Sequence, residues 1–356
     1  MKKIISIVFM VIAILVLNAC SSNSLVIYIP KNYISNDVVK AFEKESGIKV
    51  ELRVFDSNEI ALTQARINRY DLIIPSDYAI EEFAAAGLIK ELDWSRIEFD
   101  KSDFTNTLVD MLDELKGDGF DLLKYGMPYF WGSIGLIYDN NKAGLLDQLN
   151  DEGWGILQDQ SLTKMIYKSP RDAIMAALYG MDDMVWLKDA TEDDIKDARR
   201  WLVNAKGSNT VIKSEEISDE ASGGNIPYDI AMVYSGDAVD ILQETEGYSF
   251  FIPEYSNVWV DAFVIPENTR HEDWAYDFIN YISSYDAMLE NTEYICYSPV
   301  MQQVLDDLLE DEEFTYDERI SYAFDIDLDK IEYEFFRYNN ELKKWIDEQY
   351  DLFIFS

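Results

Sequence analysis

Residues 25–54 read LVIYIPKNYISNDVVKAFEKESGIKVELRV, and this stretch changes its pattern twice. The apolar run at residues 25–29 is rich in β-branched side chains, which predicts a strand. Ser35 is then a candidate N-cap for a helix whose apolar residues follow at helical spacing, and Gly47 is well placed to end it. Apolar and charged residues alternate over 48–54, which predicts a second strand.

The chain on the C-terminal side continues this alternation of strand and helix. Residues 57–68 predict another helix, residues 71–74 a buried strand and residues 81–86 a third helix. Strands and helices that alternate so closely indicate βαβ units and a parallel sheet, so the fold class is α/β. Ligands of such sheets bind beyond the carboxyl ends of the strands, which here means residues 30–33 and 75–78.

Later segments repeat the pattern less regularly. Residues 166–180 predict the end of a strand followed by a helix, and residues 230–234 and 261–265 predict further strands. The sequence Thr269-Arg270-His271-Glu272 has the form of a capping box that opens another helix. No internal repeat or low-complexity linker is present, so composition marks no domain boundary.

Composition excludes several classes of protein. A chain of 356 residues with 48% hydrophobic residues suits two domains of ordinary size. Its 68 acidic and 30 basic residues give a formal charge of -38, which would repel a nucleic-acid backbone. One histidine, His271, and two cysteines cannot assemble a His-rich zinc site or a Cys-rich cluster. The phosphate-binding motif Gly-x-x-x-x-Gly-Lys-Ser/Thr is also absent, so we expect no cofactor, no metal and no nucleic-acid partner.

The N-terminus has the pattern of an export signal. Lys2 and Lys3 precede an apolar run over residues 4–17, which is too short to span a bilayer comfortably. Leu17-Asn18-Ala19-Cys20 follows and resembles the lipobox of bacterial lipoproteins, in which the cysteine is acylated. We therefore predict a lipoprotein signal peptide at 1–20, lipidation at Cys20 and a polar tether at 21–24. An ordinary signal peptide with an incidental cysteine is the alternative.

Six segments further along the chain carry a resemblance to a known family. They read FEKESGIKV at 42–50, YDLIIPSDY at 70–78, PYFWG at 128–132, YSGDA at 234–238, WVD at 259–261 and NTEYICYS at 291–298. In this order and spacing they resemble the spermidine/putrescine-binding proteins of bacterial polyamine importers. They are spread over residues 42–298, a span that is most of the chain after residue 20.

The resemblance implies a periplasmic-binding-protein fold of type II, in which two α/β lobes close over a ligand. The chain would cross between the lobes near Trp131 and Trp259. Lobe 1 would comprise 25–131 plus 260–303, and lobe 2 would comprise 132–259 plus 304–356. The implied partners are a polyamine, the permease subunits of an ABC importer and their ATPase. The implied location is the outer face of the cytoplasmic membrane, through the lipid anchor, or the periplasm.

The ligand-contacting positions of that family map onto eight residues, which are Tyr33, Ser76, Tyr78, Asp172, Tyr234, Trp259, Asp261 and Tyr297. Carboxylates accept charge-assisted hydrogen bonds from ammonium groups, and aromatic faces attract the same cations while packing against methylene chains. Trp259 and Asp261 are two residues apart on a predicted strand, so both side chains should lie on one face. Such a site binds without bond-making chemistry, and we expect no enzyme activity.

This chain departs from the family pattern around the predicted site. Pro30-Lys31-Asn32 stands where the family usually has a tryptophan and an acid, and Ser169 stands where many relatives have another acid. Lys31 brings positive charge to the site. The alternative is therefore the same fold with another small solute, either a different amine or an anion such as a phosphonate held by Lys31 and Arg171. A glycoside hydrolase using two carboxylates and a surface adhesin are the remaining alternatives.

Overall fold

The computed structural model describes residues 24–214, 217, 220, 226–311, 313–314 and 317–356. The predicted signal peptide, with Cys20, lies outside these residues. Eleven strands are named in the described part of the chain: β1 Ser24–Pro30, β2 Lys49–Phe55, β3 Leu72–Ile73, β4 Gly126–Asp139, β5 Lys164–Tyr167, β6 Thr210–Lys213, β7 Ile230–Tyr234, β8 Tyr248–Phe251, β9 Tyr255–Val264, β10 Ser298–Pro299 and β11 Glu332–Phe335.

Helices alternate with these strands along the chain. They are α1 Asn36–Ser46, α2 Asn58–Ala65, α3 Asp77–Ala85, α4 Asn106–Gly117, α5 Leu145–Glu152, α6 Pro170–Tyr179, α7 Glu192–Ala205, α8 Ser235–Glu244, α9 Glu272–Ile282, α10 Tyr285–Ile295, α11 Gln302–Glu310, α12 Glu318–Phe324 and α13 Asn340–Ile354. Short 3-10 helices lie at Trp94–Arg96, Lys101–Asp103, Leu122–Lys124, Gly153–Gln158, Leu187–Asp189 and Leu328–Lys330.

The strands form two parallel groups joined by two long strands. β1 pairs in parallel with β2 and β3, and we call these three the first strand group. β5 pairs in parallel with β6 and β7, which form the second strand group. The sheet order is β2-β1-β3-β9-β4-β7-β5-β6. The predicted α/β class with parallel βαβ units is confirmed.

β4 and β9 connect the two strand groups. The first half of β4, Gly126 to Ser133, pairs antiparallel with β9, and its second half, from Ile134, pairs antiparallel with β7 and β8. β4 is buried along nearly its whole length, as expected for a strand covered on both faces. The predicted crossings at Trp131 and Trp259 fall on these two strands, next to each other in the ladder.

The C-terminal segments return to both parts of the sheet. α13 packs on α6 and α7, and α12 packs on α8 and β8, all beside the second strand group. α11 instead packs on α10 and β10, away from the helices beside the second strand group. The predicted lobe boundary at 303/304 therefore falls inside this helix. The lobe boundaries stay a prediction.

Local capping explains why the opening elements begin and end where they do. The Ser35 hydroxyl accepts a hydrogen bond from the Asp37 N–H, and Gly47 ends α1 at φ 74°, a left-handed conformation that glycine adopts readily. Ser24, predicted as the end of the tether, is instead the first residue of β1. α3 begins at Asp77, four residues before the predicted start, because the chain turns directly from the end of β3 into the helix.

The predicted capping box at Thr269 is wrong. His271 is the N-cap residue of α9, and its side chain makes no capping hydrogen bond. The Thr269 hydroxyl instead donates to Oδ1 of Asp71 at 2.8 Å. Asp71 is buried, with 5% of its surface exposed, and a buried carboxylate needs such donors. The hydroxyl therefore satisfies a buried acid rather than a helix end.

The described residues lack two further features. No helix there is long and apolar enough to cross a membrane. No group of three or more His, Cys, Asp or Glu side chains in that part of the chain is arranged to hold a metal ion.

Candidate ligand-binding site

A cavity of about 600 Å³ lies beyond the carboxyl ends of both strand groups. Pro30, Phe55 and Ile74, at the ends of the first group, line it together with Tyr167 and Tyr234 from the second group. This is where ligands of open α/β sheets bind, and the volume suits a small molecule. All eight residues predicted for the site line this one cavity: Tyr33, Ser76, Tyr78, Asp172, Tyr234, Trp259, Asp261 and Tyr297.

Asp261 is the acid at the base of the cavity. It lies on β9, where its backbone forms an antiparallel bridge with Ser76, and only 6% of its surface is exposed. Its Oδ1 atom is buried without a hydrogen-bond partner among the described residues. Burial raises the pKa of Asp261 to about 6, because a carboxylate loses hydration there, and the neighbouring Ser76 and Tyr33 hydroxyls partly oppose this rise. The side chain can therefore accept hydrogen bonds from a cationic ligand.

A second buried acid, Asp77, was missed by the sequence analysis. It is 1% exposed, and its Oδ2 accepts a hydrogen bond from the Val260 N–H at 2.8 Å. Oδ1 has no partner in the part of the chain that the structure describes. Burial raises the pKa of Asp77 to about 8, and the charge of nearby Asp261 adds to this. Its position inside the segment YDLIIPSDY was visible, but nothing in the sequence indicated that the side chain turns inward.

Aromatic rings form a continuous wall beside these acids. The ring centroids of Tyr33 and Tyr297 lie 5.9 Å apart, and those of Tyr297 and Trp259 lie 5.0 Å apart. Trp259 continues to Tyr234 at 6.2 Å, and Tyr234 to Tyr167 at 4.8 Å. The Tyr33 hydroxyl, which lies beside the Asp261 carboxyl, and the Trp259 Nε1 are buried without a hydrogen bond of normal geometry within the described ranges. The wall offers apolar faces and two polar groups that a ligand could satisfy.

Two glycines and one strained residue shape this wall. A Cβ on Gly132 would lie 2.8 Å from the Trp259 ring, and one on Gly236 would lie 2.5 Å from the Tyr297 ring. Cys296 adopts φ 66° at the end of α10. That left-handed conformation favours glycine, so a cysteine here strains the backbone directly before Tyr297.

Asp172 and Tyr234 form a second polar centre. Asp172 lies in the first turn of α6, and the Tyr234 hydroxyl donates to its Oδ2 at 2.8 Å. The Asp172 N–H in turn donates to the Ser169 hydroxyl, so Ser169 serves as the helix cap. Burial raises the pKa of the Asp172 carboxyl above its usual range. Asp172 itself is therefore not the capping residue of α6.

Tyr78 lines the cavity, but its ring and its hydroxyl already contact other protein side chains. The Arg171 guanidinium carbon lies 4.3 Å from the Tyr78 ring centroid, and the Tyr78 hydroxyl donates to Glu59 Oε1 at 3.2 Å. Glu59 was not among the predicted residues, because no signal in its local sequence indicates that this side chain faces a cavity. Lys31 lies exposed at the mouth, so its charge is largely solvated.

The cavity holds further acids that the sequence analysis did not select. Asp56, Asp237 and Asp240 line it together with Glu59 and Asp77. Asp237 lies in the segment YSGDA, which is one of the six segments that carry the family resemblance. The lining is therefore richer in carboxylates than in basic groups, since Lys31, Lys168 and Arg171 are its cationic members. Such a lining favours a cation over an anion.

Comparison with known proteins identifies similar chains. Residues 37–320 match the family described as "Bacterial extracellular solute-binding protein". The putrescine-binding periplasmic protein PotF of Escherichia coli is 28% identical over 300 residues, which are 79% of this chain and 78% of that protein.

Two solved structures are similar over nearly the whole chain. One is described as a putative spermidine/putrescine ABC transporter from Listeria monocytogenes, with 28% identity and a TM-score of 0.78, covering 94% of this chain and 99% of the other. The TpPotD lipoprotein of Treponema pallidum has 20% identity and a TM-score of 0.74, covering 94% and 100% respectively, and supports the fold alone. The predicted periplasmic-binding-protein fold is confirmed.

Proposed function

The chain belongs to the family of bacterial extracellular solute-binding proteins, and we propose that it captures a polyamine of the putrescine and spermidine class for an ABC importer. The putrescine-binding protein of E. coli is a relative over most of the chain, which supports this substrate class. The family consists of transport proteins rather than enzymes. The acids that line the cavity accordingly act in binding.

The observation that carries the proposal is the environment of Asp261. A buried carboxylate oxygen without a partner among the described residues leaves a hydrogen-bonding position that a ligand donor can fill. The Trp259 and Tyr297 rings stand beside it, and their centroids lie 5.0 Å apart. An ammonium group satisfies the carboxylate, and the methylene chain that follows packs against the rings. Asp172, with Tyr234, supplies a second acid for the other end of the ligand.

The remaining parts of the proposal concern delivery. Acylation of Cys20 would tether the chain to the outer face of the cytoplasmic membrane. Without the anchor, the chain would lie in the periplasm. Permease subunits and their ATPase would then take up the ligand from the cleft. The sequence has no ATP-binding Gly-x-x-x-x-Gly-Lys-Ser/Thr motif of its own, so the energy for transport would come from that separate ATPase.

Calorimetric titration of the full chain in a neutral detergent tests the substrate class. The ligands are putrescine, spermidine, thiamine, phosphate and sulfate. We expect binding of a polyamine at about micromolar affinity or tighter. Asp261→Asn should weaken that binding about tenfold or more, because a charged hydrogen bond contributes roughly 1.5 to 3 kcal/mol.

Asp286→Asn is the matched control, since Asp286 is exposed on α10 and does not line the cavity. Its polyamine affinity should equal that of the natural chain. Unchanged affinity in Asp261→Asn would contradict the proposed site. Heat with phosphate or sulfate alone would instead favour the anion alternative, in which Lys31 and Arg171 hold the ligand.

A further inference from the structure

A short segment after β11 contacts the opposite part of the molecule. β11 pairs with the first residues of β9, and α13 packs on α6 and α7 beside the second strand group. Between β11 and α13, the Arg337 guanidinium binds Glu81 on α3, the helix that follows β3 of the first strand group. Its Nε donates to Glu81 Oε2 at 3.1 Å, and its Nη2 donates to Oε1 at 2.8 Å. The pair is therefore bidentate, which adds both strength and a fixed geometry.

Backbone groups hold this pair in place. The N–H of Tyr338 also donates to Glu81 Oε2, at 3.0 Å, and Arg337 Nη1 donates to the carbonyl oxygen of Asp118 at 2.9 Å. The side chains of Arg337 and Glu81 are each 19% exposed, so solvent and salt screen them less than an exposed ion pair. The Glu81 carboxylate thus accepts hydrogen bonds from two consecutive residues of the C-terminal segment.

A second acid and a second cation extend the contact. Lys188 Nζ lies 3.4 Å from Asp118 Oδ2, and Arg337 Nη1 lies 3.9 Å from the same oxygen. Asp118 ends α4, and both α4 and α3 contact the 3-10 helix Leu122–Lys124. Lys188 lies in a 3-10 helix that contacts α6 instead. The acids therefore belong to one side and the cations to the other. We call these residues the ion-pair latch: Glu81, Asp118, Lys188 and Arg337.

The latch joins the two strand groups outside the cavity. Its side chains are not among the described residues that line the cavity. The segment that carries Arg337 does reach the ligand site, because Phe336 lines the cavity and its ring centroid lies 6.2 Å from that of Tyr78. Tyr78 lies about one helical turn before Glu81 on α3. This helix therefore contacts consecutive residues of the C-terminal segment, one at the cavity and one at the latch.

A contact of this kind acts on binding through the arrangement of the two strand groups. A site formed by two parts holds a ligand when both parts enclose it, so the apparent affinity scales with the fraction of protein in that closed arrangement. In this structure Arg171 on α6 lies 3.6 Å from Glu59 on α2 across the cavity, so the two groups meet there. The latch is formed in the same arrangement. Separation of the groups would draw Arg337 away from Glu81 and break the bidentate pair.

We propose that the ion-pair latch holds the two strand groups in the closed arrangement, so that it favours closure of the ligand-free chain and slows ligand release. The inference rests on the proposed function only for the ligands used in one arm of its test. The latch does not touch the ligand, and its effect on closure is therefore the same for every solute of the site. Its removal should change the release of different ligands by the same factor.

The first measurement follows closure of the ligand-free full chain in a neutral detergent. Lys31 and Lys168 are exposed residues of the cavity lining, one after β1 and the other after β5, and cysteines at both carry spin labels. Cys296 is buried, which protects it from the label. A pulsed electron-resonance experiment gives the distribution of label distances. We expect Arg337→Gln to shift this distribution toward longer distances, because the closed arrangement loses its latch.

The second measurement is the rate of polyamine release from the unlabelled chain, followed by stopped-flow fluorescence of Trp259 in the cavity. We expect Arg337→Gln to release putrescine and spermidine about tenfold faster, by the same factor for both. Glu81→Gln should have a similar effect. The double variant should be little faster than either single variant, because each substitution already removes the same pair.

Arg96→Gln is the matched control. It removes a guanidinium that pairs with Asp273 of α9 at 2.7 Å, away from the cavity and the latch, so distances and release rates should stay unchanged. A melting curve establishes that each variant is folded. Lys188→Met removes only the outer contact of the latch, and it provides the same test with a smaller expected effect if Arg337→Gln does not fold.

The outcomes separate this inference from the proposed function. An unchanged label distance in folded Arg337→Gln overturns the latch, whether or not the chain binds a polyamine, and leaves Arg337 a role in stability alone. A release rate that is unchanged, or that changes for only one of the two polyamines, also overturns it. A longer label distance in a chain that binds no polyamine supports the latch and contradicts only the proposed function.

Discussion

At the scale of single residues, the site depends on acids that the fold buries without full hydrogen bonding. Asp77 and Asp261 each have an oxygen without a partner in the described ranges, and burial raises the pKa of both side chains. A buried, incompletely satisfied carboxyl destabilises the empty protein and becomes favourable when a cation arrives. Stability of the empty chain and affinity for the ligand are therefore linked through the same two residues.

The stability of the empty protein should reveal the buried Asp77 carboxyl. Its pKa is about 8 when folded and about 3.8 when unfolded, so the folded state binds the proton more tightly. The free energy of unfolding therefore falls as pH rises from about 4 to about 8. Asp77→Asn keeps an oxygen for the Val260 N–H and removes the ionisation. We expect its Tm to exceed that of the natural chain by about 2 °C or more at pH 8.

The comparison at lower pH provides the control for this prediction. Near pH 4 the natural Asp77 is protonated in the folded state, so the Tm advantage of Asp77→Asn should shrink or vanish. Exposed Asp286→Asn should change little at either pH. An equal loss of Tm in Asp77→Asn at both values would mean that the side chain acts only through packing.

The affinity for a polyamine should fall in acid because of Asp261. The pKa of this carboxyl is about 6 in the empty protein, and the cation binds its ionised form. Affinity is therefore full above that pH and declines as pH falls through it, by about tenfold at one pH unit below. Titrations across this range measure the loss, and buffers of different ionisation enthalpy report the accompanying proton release. Asp261→Asn should remove this step, and a step that persists in the variant would assign it to another group.

At the scale of elements, the aromatic wall depends on close approach between α8 and the segment after α10. Gly236, the second residue of α8, lies directly against the Tyr297 ring. The distance between Gly236 and the Tyr297 ring is constrained by the strands next to them, since β4 pairs with both β10 and β9. The position of the Tyr297 ring in this wall is accordingly constrained by backbone packing.

A single added methyl group should disturb the wall. A Cβ at Gly236 would lie 2.5 Å from the Tyr297 ring, closer than real contacts allow, so the ring must move. We expect Gly236→Ala to lower polyamine affinity about tenfold or more in calorimetry. Gly117→Ala, at the end of α4 with no atom within 4 Å of the added Cβ, is the control and should bind normally. Normal binding by Gly236→Ala would show that Tyr297 contributes little to the site.

At the scale of the whole molecule, charge and topology act together. The formal charge of -38 surrounds a cavity that is itself rich in acids, so the field should draw cations toward the cleft. β4 pairs with β9 along its first half and with β7 along its second half, and the cavity lies where the two strand groups meet. A ligand held there contacts residues from both groups.

The charge of the molecule predicts a dependence on salt. Raising NaCl from about 0.01 M to about 0.5 M should slow association and weaken polyamine binding, because screening shortens the reach of the surface field. Spermidine should lose more affinity than putrescine, since it carries more charge. Stopped-flow and calorimetric measurements separate the rate from the affinity. An association rate that is independent of salt would assign the acidic surface to solubility alone.

Much of the fold was predictable because it rests on local patterns. The apolar runs that become β1 and β7 and the caps at Ser35 and Gly47 all have signals within a few residues. Thr269 shows the limit of this approach. Its spacing from Glu272 fits a capping box. The Thr269 hydroxyl instead donates its hydrogen bond to the buried Asp71, about 200 residues away in sequence.

The sequence by itself determined the α/β class and the excess of acids, because these follow from periodicity and composition, and its resemblance to a known family pointed to eight of the residues that line the cavity. Only the tertiary structure decided which acids are buried. Asp77 and Arg171 are ordinary charged residues in their local context, and their burial arises from packing between distant segments. Desolvation and the pairing of charges depend on what surrounds a group in space, and a linear pattern does not specify those neighbours.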